Sequence, residues 1–430
     1  MGEQRTALIL LLILFSLLFS VPEIGIVKAE PKLIVVPDHY ASVQEAVDSA
    51  FDGDAVLVKC GTYNGSVVIN KSISLIGEDK EKTIILGDWS LNGTVVLVQY
   101  DDVVVKHFTL KAIQNSGPNG RGVHLLHVKH CQVADCNFAS GIGVWLYGAS
   151  DNTVEKNQID GTHVSMPPTA GIKLQYSQGN RIIRNNVMEY TYGIGISLDF
   201  SSRNYLVENQ LSNNYYGVLV KDSNSNSITD NEVTVSMSVF VTPTEQVMRG
   251  SYGIRLQFSS NNSVAGNTFL DCPKGVRIVS SSCYNLVEGN TVSGSRYVGL
   301  ELAEDANYNQ IIANNIVDNG AGAEFVNSSN NIVYHNNFID NSVLITSFST
   351  DDINFFDNGS EGNYWSSYHG EDNEGDGIGD TPYIINENNQ DNYPIMNIIP
   401  EFPSWIIPPL FLMATLSAIL FKKRLFHQRS

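Results

Sequence analysis

With 430 residues the chain can bury one large core or several ordinary ones, and 26 basic against 45 acidic residues give a net charge of -19, which excludes a nucleic-acid partner. Five cysteines, Cys60, Cys131, Cys136, Cys272 and Cys283, are too few and too scattered for a disulfide framework. They serve either as small buried apolar residues or supply one bridge, and Cys272 with Cys283 is the first pair to test.

Residues 1–29 combine Arg5, the apolar run Ala7 to Phe19 and the small-residue end "VKA", the pattern of a secretory signal, so the mature chain is exported. The folded part opens with residues 30–100. There "SVQEAVDSA" (Ser42 to Ala50) starts on a serine cap with Glu45 in the capping-box position. Val43, Ala46, Val47 and Ala50 share one face, which predicts a short helix that plugs the first coil.

From 101 to 358 the chain repeats itself. The register N-x-φ-x-x-N-x-φ, with φ apolar, begins at Asn152, Asn180, Asn204, Asn226, Asn262, Asn285, Asn309 and Asn331. A floor of about 22 residues with occasional insertions marks a solenoid. Degenerate copies precede these at Asp101 and Cys131, where Cys131 and Cys136 fill both asparagine slots. Each copy is followed by a glycine and alternating apolar residues, for example "GIGV" at Gly141, "GIKL" at Gly171, "GIGI" at Gly193 and "GIRL" at Gly253. Period-two alternation over so few residues predicts short strands with one buried face. Stacked copies then pair in parallel at about 4.8 Å, giving an all-β parallel β-helix of about ten or more coils. The paired asparagines are expected at corners, where asparagine tolerates left-handed backbone and stacked amides bond along the axis.

The acidic segment 359–396 is expected to cap the far end, and 397–404 is a linker. Trp405 to Phe421 is apolar over about 17 residues, the short end of a membrane span. The tail 422–430, beginning "KKR", places that side in the cytoplasm and the rest outside.

Leu33 to Gly87 and Gly362 to Met396 resemble the opening and closing segments of right-handed β-helix proteins of the pectin-lyase-like superfamily, especially those with NosD-type repeats. "PEFPSW" (Pro400 to Trp405), the apolar run and the basic tail together are similar to the PEF-type sorting signals of archaeal surface proteins. The resemblance implies a right-handed coil and a sorting peptidase that removes the terminal helix. It implies little about activity, because the superfamily hosts lyases, hydrolases, epimerases and noncatalytic surface proteins. The NosD likeness raises copper delivery. Here "HLLHVKH" offers His124, His127 and His130, but at odd offsets the middle ring points to the other face of a strand, and no soft ligands cluster nearby.

Aligned on their glycines, the motifs place His124, Gly143, Lys173, Gly195, Leu219, Arg255, Arg277 and Glu301 in one outward file. Trp145, Gln175, Ser197, Lys221 and Gln257 fall in the next. Lys173, Lys221, Arg255 and Arg277 form a basic stripe with Trp145 at one end. Insertions at Lys111–Arg121, Gly161–Thr169 and Val233–Ser251 fall at one corner over about 24 Å and flank a groove suited to an extended polymer. Trp145 would stack on sugar rings, Gln175 and Gln257 would meet hydroxyls, and the cations would take carboxylate or sulfate.

The expected role is noncatalytic, in envelope structure or extended-glycan binding, with cell-envelope polysaccharide or surface-layer components as partners. Glu301 and Glu324 keep an alternative open, a lyase or hydrolase of uronate polymers, since neighbouring coils would hold their backbones about 5 Å apart. The sequence motifs of β-helix polygalacturonases are missing. A copper-delivery accessory protein is the second alternative. Asp372, Glu374, Asp376 and Asp380 take positions 1, 3, 5 and 9 of a calcium loop with Gly377 at the turn, but Tyr383 replaces the bidentate glutamate, so either a structural calcium or a solvated acidic turn follows. Glycosylation sequons begin at Asn64, Asn70, Asn92, Asn261, Asn327 and Asn358.

Overall fold

The computed structural model describes residues 30–112, 120–162, 170–235, 251–347 and 351–400. Met1–Lys32 and Leu33–Ser430 are separate units, and the architecture below is that of the second. The secretory signal, much of the three corner insertions, and the apolar segment 405–421 with its tail lie outside the described residues. Among the described residues no helix is long and apolar enough to cross a membrane.

Each coil contributes three strands, as in Thr153–Glu155, Gln158–Asp160 and Ala170–Gln175. In these two three-residue strands only the central side chain is buried, Val154 and Ile159. The six-residue strand buries Ile172 and Leu174 and turns Lys173 and Gln175 outward. Strands of one kind pair in parallel from coil to coil, giving sheets of 13, 12 and 13 strands in a right-handed parallel β-helix. The register holds position for position: Val154 pairs with Ile182, Ile182 with Leu206, and Leu206 with Ile228. Stacked β-branched and aliphatic residues fill the interior, a lining that suits a pleated buried face.

The asparagine spacing has a hydrogen-bond explanation. The backbone N–H and the Nδ2 of Asn180 both donate to Oδ1 of Asn204 at 3.0 Å, and the same Nδ2 donates to the Ala149 carbonyl at 3.0 Å. The pattern repeats through Asn204, Asn226 and Asn262 in the first file and through Asn185, Asn209 and Asn231 in the second. An amide accepts at its oxygen and donates twice from its nitrogen, so one buried side chain serves the coil above, the coil below and its own corner. The expectation of left-handed asparagines is corrected: positive φ falls on the residue before the slot, as at Lys156 (54°), Arg184 (53°), Arg203 (59°) and Glu208 (54°). Cys131 and Cys136 do fill the degenerate slots, their N–H groups donating to Asn152 and Asn157 at 2.8 and 3.0 Å. A further ladder runs three residues earlier through Ser177, Ser201, Ser223, Ser259 and Ser282.

The helix Val43–Ser49 carries the full capping box of Ser42 and Glu45 and buries Val43, Ala46 and Val47. Gln44 meets the strand Val67–Ile69, the first of the long-strand sheet: Val68 N–H donates to Gln44 Oε1 at 2.7 Å and Gln44 Nε2 donates to Val68 O at 3.2 Å. At the other end Phe338, Trp365 and Tyr383 stack at 4.5 Å intervals. The hairpin Tyr383–Asn386 with Asn389–Asp391 brings Asn389 and Asp391 into the next two ladder slots. All five cysteines are free thiols. Cys272 lies in the core against the Val233 carbonyl while Cys283 faces outward toward the Asp305 carbonyl, so the bridge between them is not formed.

Candidate ligand-binding face

The outward side of the long-strand sheet brings the candidate residues together, in a register that differs from the motif alignment. Trp145 pairs with His124 on one side and Lys173 on the other, and Lys173 pairs with Ser197. The file therefore runs His124, Trp145, Lys173, Ser197, Leu219, Arg255, Arg277, Glu301, Glu324. Its neighbour holds Tyr147, Gln175, Asp199, Lys221 and Gln257. Gly143 and Gly195 are not outward positions. "GIGV" and "GIGI" each contain two glycines two residues apart, and period-two alternation fits either, so the wrong one was aligned. The correct glycine is the one that cannot carry a side chain: a Cβ on Gly195 would stand 2.6 Å from the Gly217 carbonyl oxygen of the next coil.

Around Trp145 the indole is enclosed. His124 stacks on it at 4.5 Å and 7°, the Lys173 ammonium lies 5.4 Å from its centre, and the Arg121 guanidinium lies at 4.4 Å. Because His124 and Lys173 come from the coils on either side, both indole faces are covered, and the expected stacking of a sugar on Trp145 has no face to use. Burial pulls the pKa of Arg121 and Lys173 down, partly offset at Lys173 by Asp199. Burial, with help from Arg121 and His127, pushes His124 down to about 4, so its ring is neutral at pH 7.

Six coils beyond Trp145, Glu301 is 5% exposed and held by Lys274 at 2.7 Å and by Arg277 Nε at 3.1 Å. Arg277 also donates to the Tyr252 hydroxyl at 2.8 Å. The basic stripe is thus partly neutralised from within: Arg277 is committed to Glu301, and Lys221 lies 3.9 Å from Asp222. Among the described residues Arg255 has no carboxylate partner, and its guanidinium lies 5.6 Å from the Tyr252 ring. Glu324 pairs in register with Glu301, and burial first, then the charge of Glu301, raises its pKa. Arg121, Lys274 and Tyr252 were missed in the motif reading. Each immediately precedes a motif glycine, so a basic or aromatic residue at that spot was the available signal.

The three insertions join the second short strand of a coil to its long strand, before Arg121–Leu126, Ala170–Gln175 and Tyr252–Gln257. In the acidic loop Asp372 accepts backbone N–H groups of Gly375, Asp376 and Gly377, Asp376 accepts from Ile378, and Asp380 accepts from Asn373. Glu374 is exposed. All six sequon asparagines are exposed, whereas the ladder asparagines are buried.

Stacked amide ladders and a parallel register carried from coil to coil define a parallel β-helix protein. A family model described as periplasmic copper-binding protein (NosD) matches residues 48–246 and 236–370, and the chain belongs to that family. The family description agrees with the export read from the N-terminus. A probable ABC transporter binding protein NosD of Pseudomonas aeruginosa is 28% identical over 154 residues, which cover 36% of this chain and 33% of that relative, so only a third of its length is matched. Among solved structures, the Streptococcus pneumoniae surface adhesin PfbA is similar at a TM-score of 0.59 and 14% identity, over 75% of this chain and 93% of that one. The A-module of the Azotobacter vinelandii mannuronan C-5 epimerase AlgE6 is similar at 0.52 and 13%, over 73% and 92%. At such identities the likeness is one of fold.

The family description implies copper, and the described donor set does not fit it. No three His, Cys, Asp or Glu side chains are gathered as a metal-holding group among the described residues. His124 stacks on Trp145, His127 packs edge-on against Tyr147 at 5.4 Å, and His130 lies 3.6 Å from Asp102.

Proposed function

We propose that this NosD-family chain is an exported, noncatalytic scaffold whose long-strand face binds an extended acidic glycan of the cell envelope. One observation carries the reading: Arg121, Lys173 and Arg255 stand on the outer face of one sheet, in a chain of net charge -19, with no carboxylate paired to any of them among the described residues. Half-buried cations without a counter-charge cost stability unless a ligand supplies it. Coils stacked at about 4.8 Å carry the same chemistry along an axis, which suits a polymer better than a small molecule. Retention of the full-length chain on an immobilised polyuronate tests the reading. Lys173→Ala and Arg255→Ala together should abolish retention at low salt, and unchanged retention rejects it.

A second reading, cleavage of a uronate polymer, is favoured by the unequal carboxyl pair. Glu301 is ion-paired to Lys274 and Arg277, while burial and the charge of Glu301 raise the pKa of Glu324, so the two carboxyls sit in the unlike surroundings that a base or nucleophile and an acid require. Release of reducing or unsaturated ends from polyuronate, abolished by Glu324→Gln, would establish it in place of the first.

A further inference from the structure

The surroundings of Trp145 contain more donors than acceptors. Arg121 Nε, His124 Nε2 and Trp145 Nε1 are all buried and have no hydrogen-bond partner among the described residues. His124 is 8% exposed. An orphaned buried donor costs about 1–3 kcal/mol, and native proteins rarely keep one. Here two obligate donors, Arg121 Nε and Trp145 Nε1, and a ring nitrogen that donates in one tautomer, His124 Nε2, sit on two adjacent coils beside a single indole, and the Lys173 ammonium reaches the same ring from the third coil. The covered indole faces leave its N–H as the functional edge, so the ring serves as a donor. Asp199, whose Oδ1 is itself buried without a hydrogen-bond partner among the described residues, acts on Lys173 from a distance without forming an ion pair with it. Arg121 makes one long contact, 3.4 Å, to the Thr94 hydroxyl, which leaves its charge uncompensated.

We propose that Arg121, His124, Trp145 and Lys173 form a built subsite for one oxyanion group of a saccharide, a carboxylate or a sulfate ester. Water alone would satisfy the N–H groups but not the two cations; a multi-oxygen anion satisfies both. The neutral His124 ring then takes the tautomer with its proton on Nε2 and donates it, beside the indole N–H and the guanidinium Nε–H, while Lys173 supplies the balancing charge. The inference deepens the glycan-binding reading and rests on it for the source of the anion.

The test is calorimetric titration of the full-length chain with D-glucuronate, with glucose 6-sulfate and with neutral glucose. Binding of either acid, but not of glucose, is expected, and whichever acid binds more tightly names the source. His124→Phe and Trp145→Phe keep an aromatic ring at each position and remove its N–H donor, so each should weaken the acid by about tenfold or more. Arg184→Gln, on another sheet, should change nothing. Failure of both acids to bind, or binding that both Phe variants leave unchanged, overturns the subsite. If polyuronate retention persists while both monosaccharides fail, the subsite is wrong and the wider face survives. Glucuronate binding that needs His124 and Trp145, without polymer retention, upholds the subsite and sinks the polymer reading.

Discussion

At the scale of single residues, the amides of the two ladders are the most demanding positions. Asn204 accepts from Asn180 N–H and Nδ2 and donates to Ser177 O and Asn226 Oδ1, all at 3.0–3.2 Å and all buried. Asn204→Ala leaves several of these groups unpaired at once, so a loss of about 3 kcal/mol or more is expected in urea unfolding, well above the effect of an exposed asparagine such as Asn261. Asp391 puts a carboxyl in the last slot, where it accepts from Asn363 N–H at 2.7 Å, Trp365 Nε1 at 2.8 Å and Tyr393 N–H at 3.0 Å. Burial nevertheless outweighs these donors and raises its pKa to about 6. The folded state therefore holds a proton that the unfolded state releases from about pH 4, and this group's contribution is fully present below pH 4 and lost as pH rises through 6, by about 3 kcal/mol. Unfolding midpoints at pH 4 and pH 7 should differ less in Asp391→Asn than in the parent chain. The paired asparagines and the amide ladder along the axis were legible from the repeat, whereas the left-handed backbone falls one residue earlier than expected, because a 22- to 36-residue period fixes which residues stack but not the local φ.

Among the elements, the long strands carry both the fold and the site. Each bends at its glycine, where backbone comes too close to the next coil for any side chain. At Gly195 an added Cβ meets the Gly217 carbonyl at 2.6 Å and Asn214 Nδ2 at 3.0 Å. Gly195→Ala should cost about 1–3 kcal/mol by overpacking, read as a lower melting temperature with unchanged far-ultraviolet dichroism. The bend also leans the preceding residue, Arg121 or Lys274, over the outward file. Strand existence and alternation were legible from "GIKL" and "GIRL", which contain one glycine each. "GIGV" and "GIGI" were ambiguous, and choosing between their glycines displaced Trp145 and Ser197 by one file.

Over the whole molecule, stability is close to a sum over neighbouring coils, since each coil contacts only those above and below it. Trp365, buried between Phe338 and Tyr383, belongs to the last of them. Trp365→Ala should cost about 3–5 kcal/mol locally, and hydrogen exchange should quicken first in Asn337–Ile339 while Thr153–Glu155 and Arg181–Ile183 remain protected. Uniform acceleration along the chain would show a single cooperative unit instead. The amino-acid sequence by itself determined the repeat, the parallel stack, the slots of Cys131 and Cys136 and the acidic balance, because each is written as a period or a count. Only the tertiary structure decided which outward residues are neighbours, that Glu301 neutralises Arg277, and that Trp145 is enclosed with its N–H unpaired. Those facts depend on register between coils and on side-chain direction, and neither is encoded within the span of one repeat.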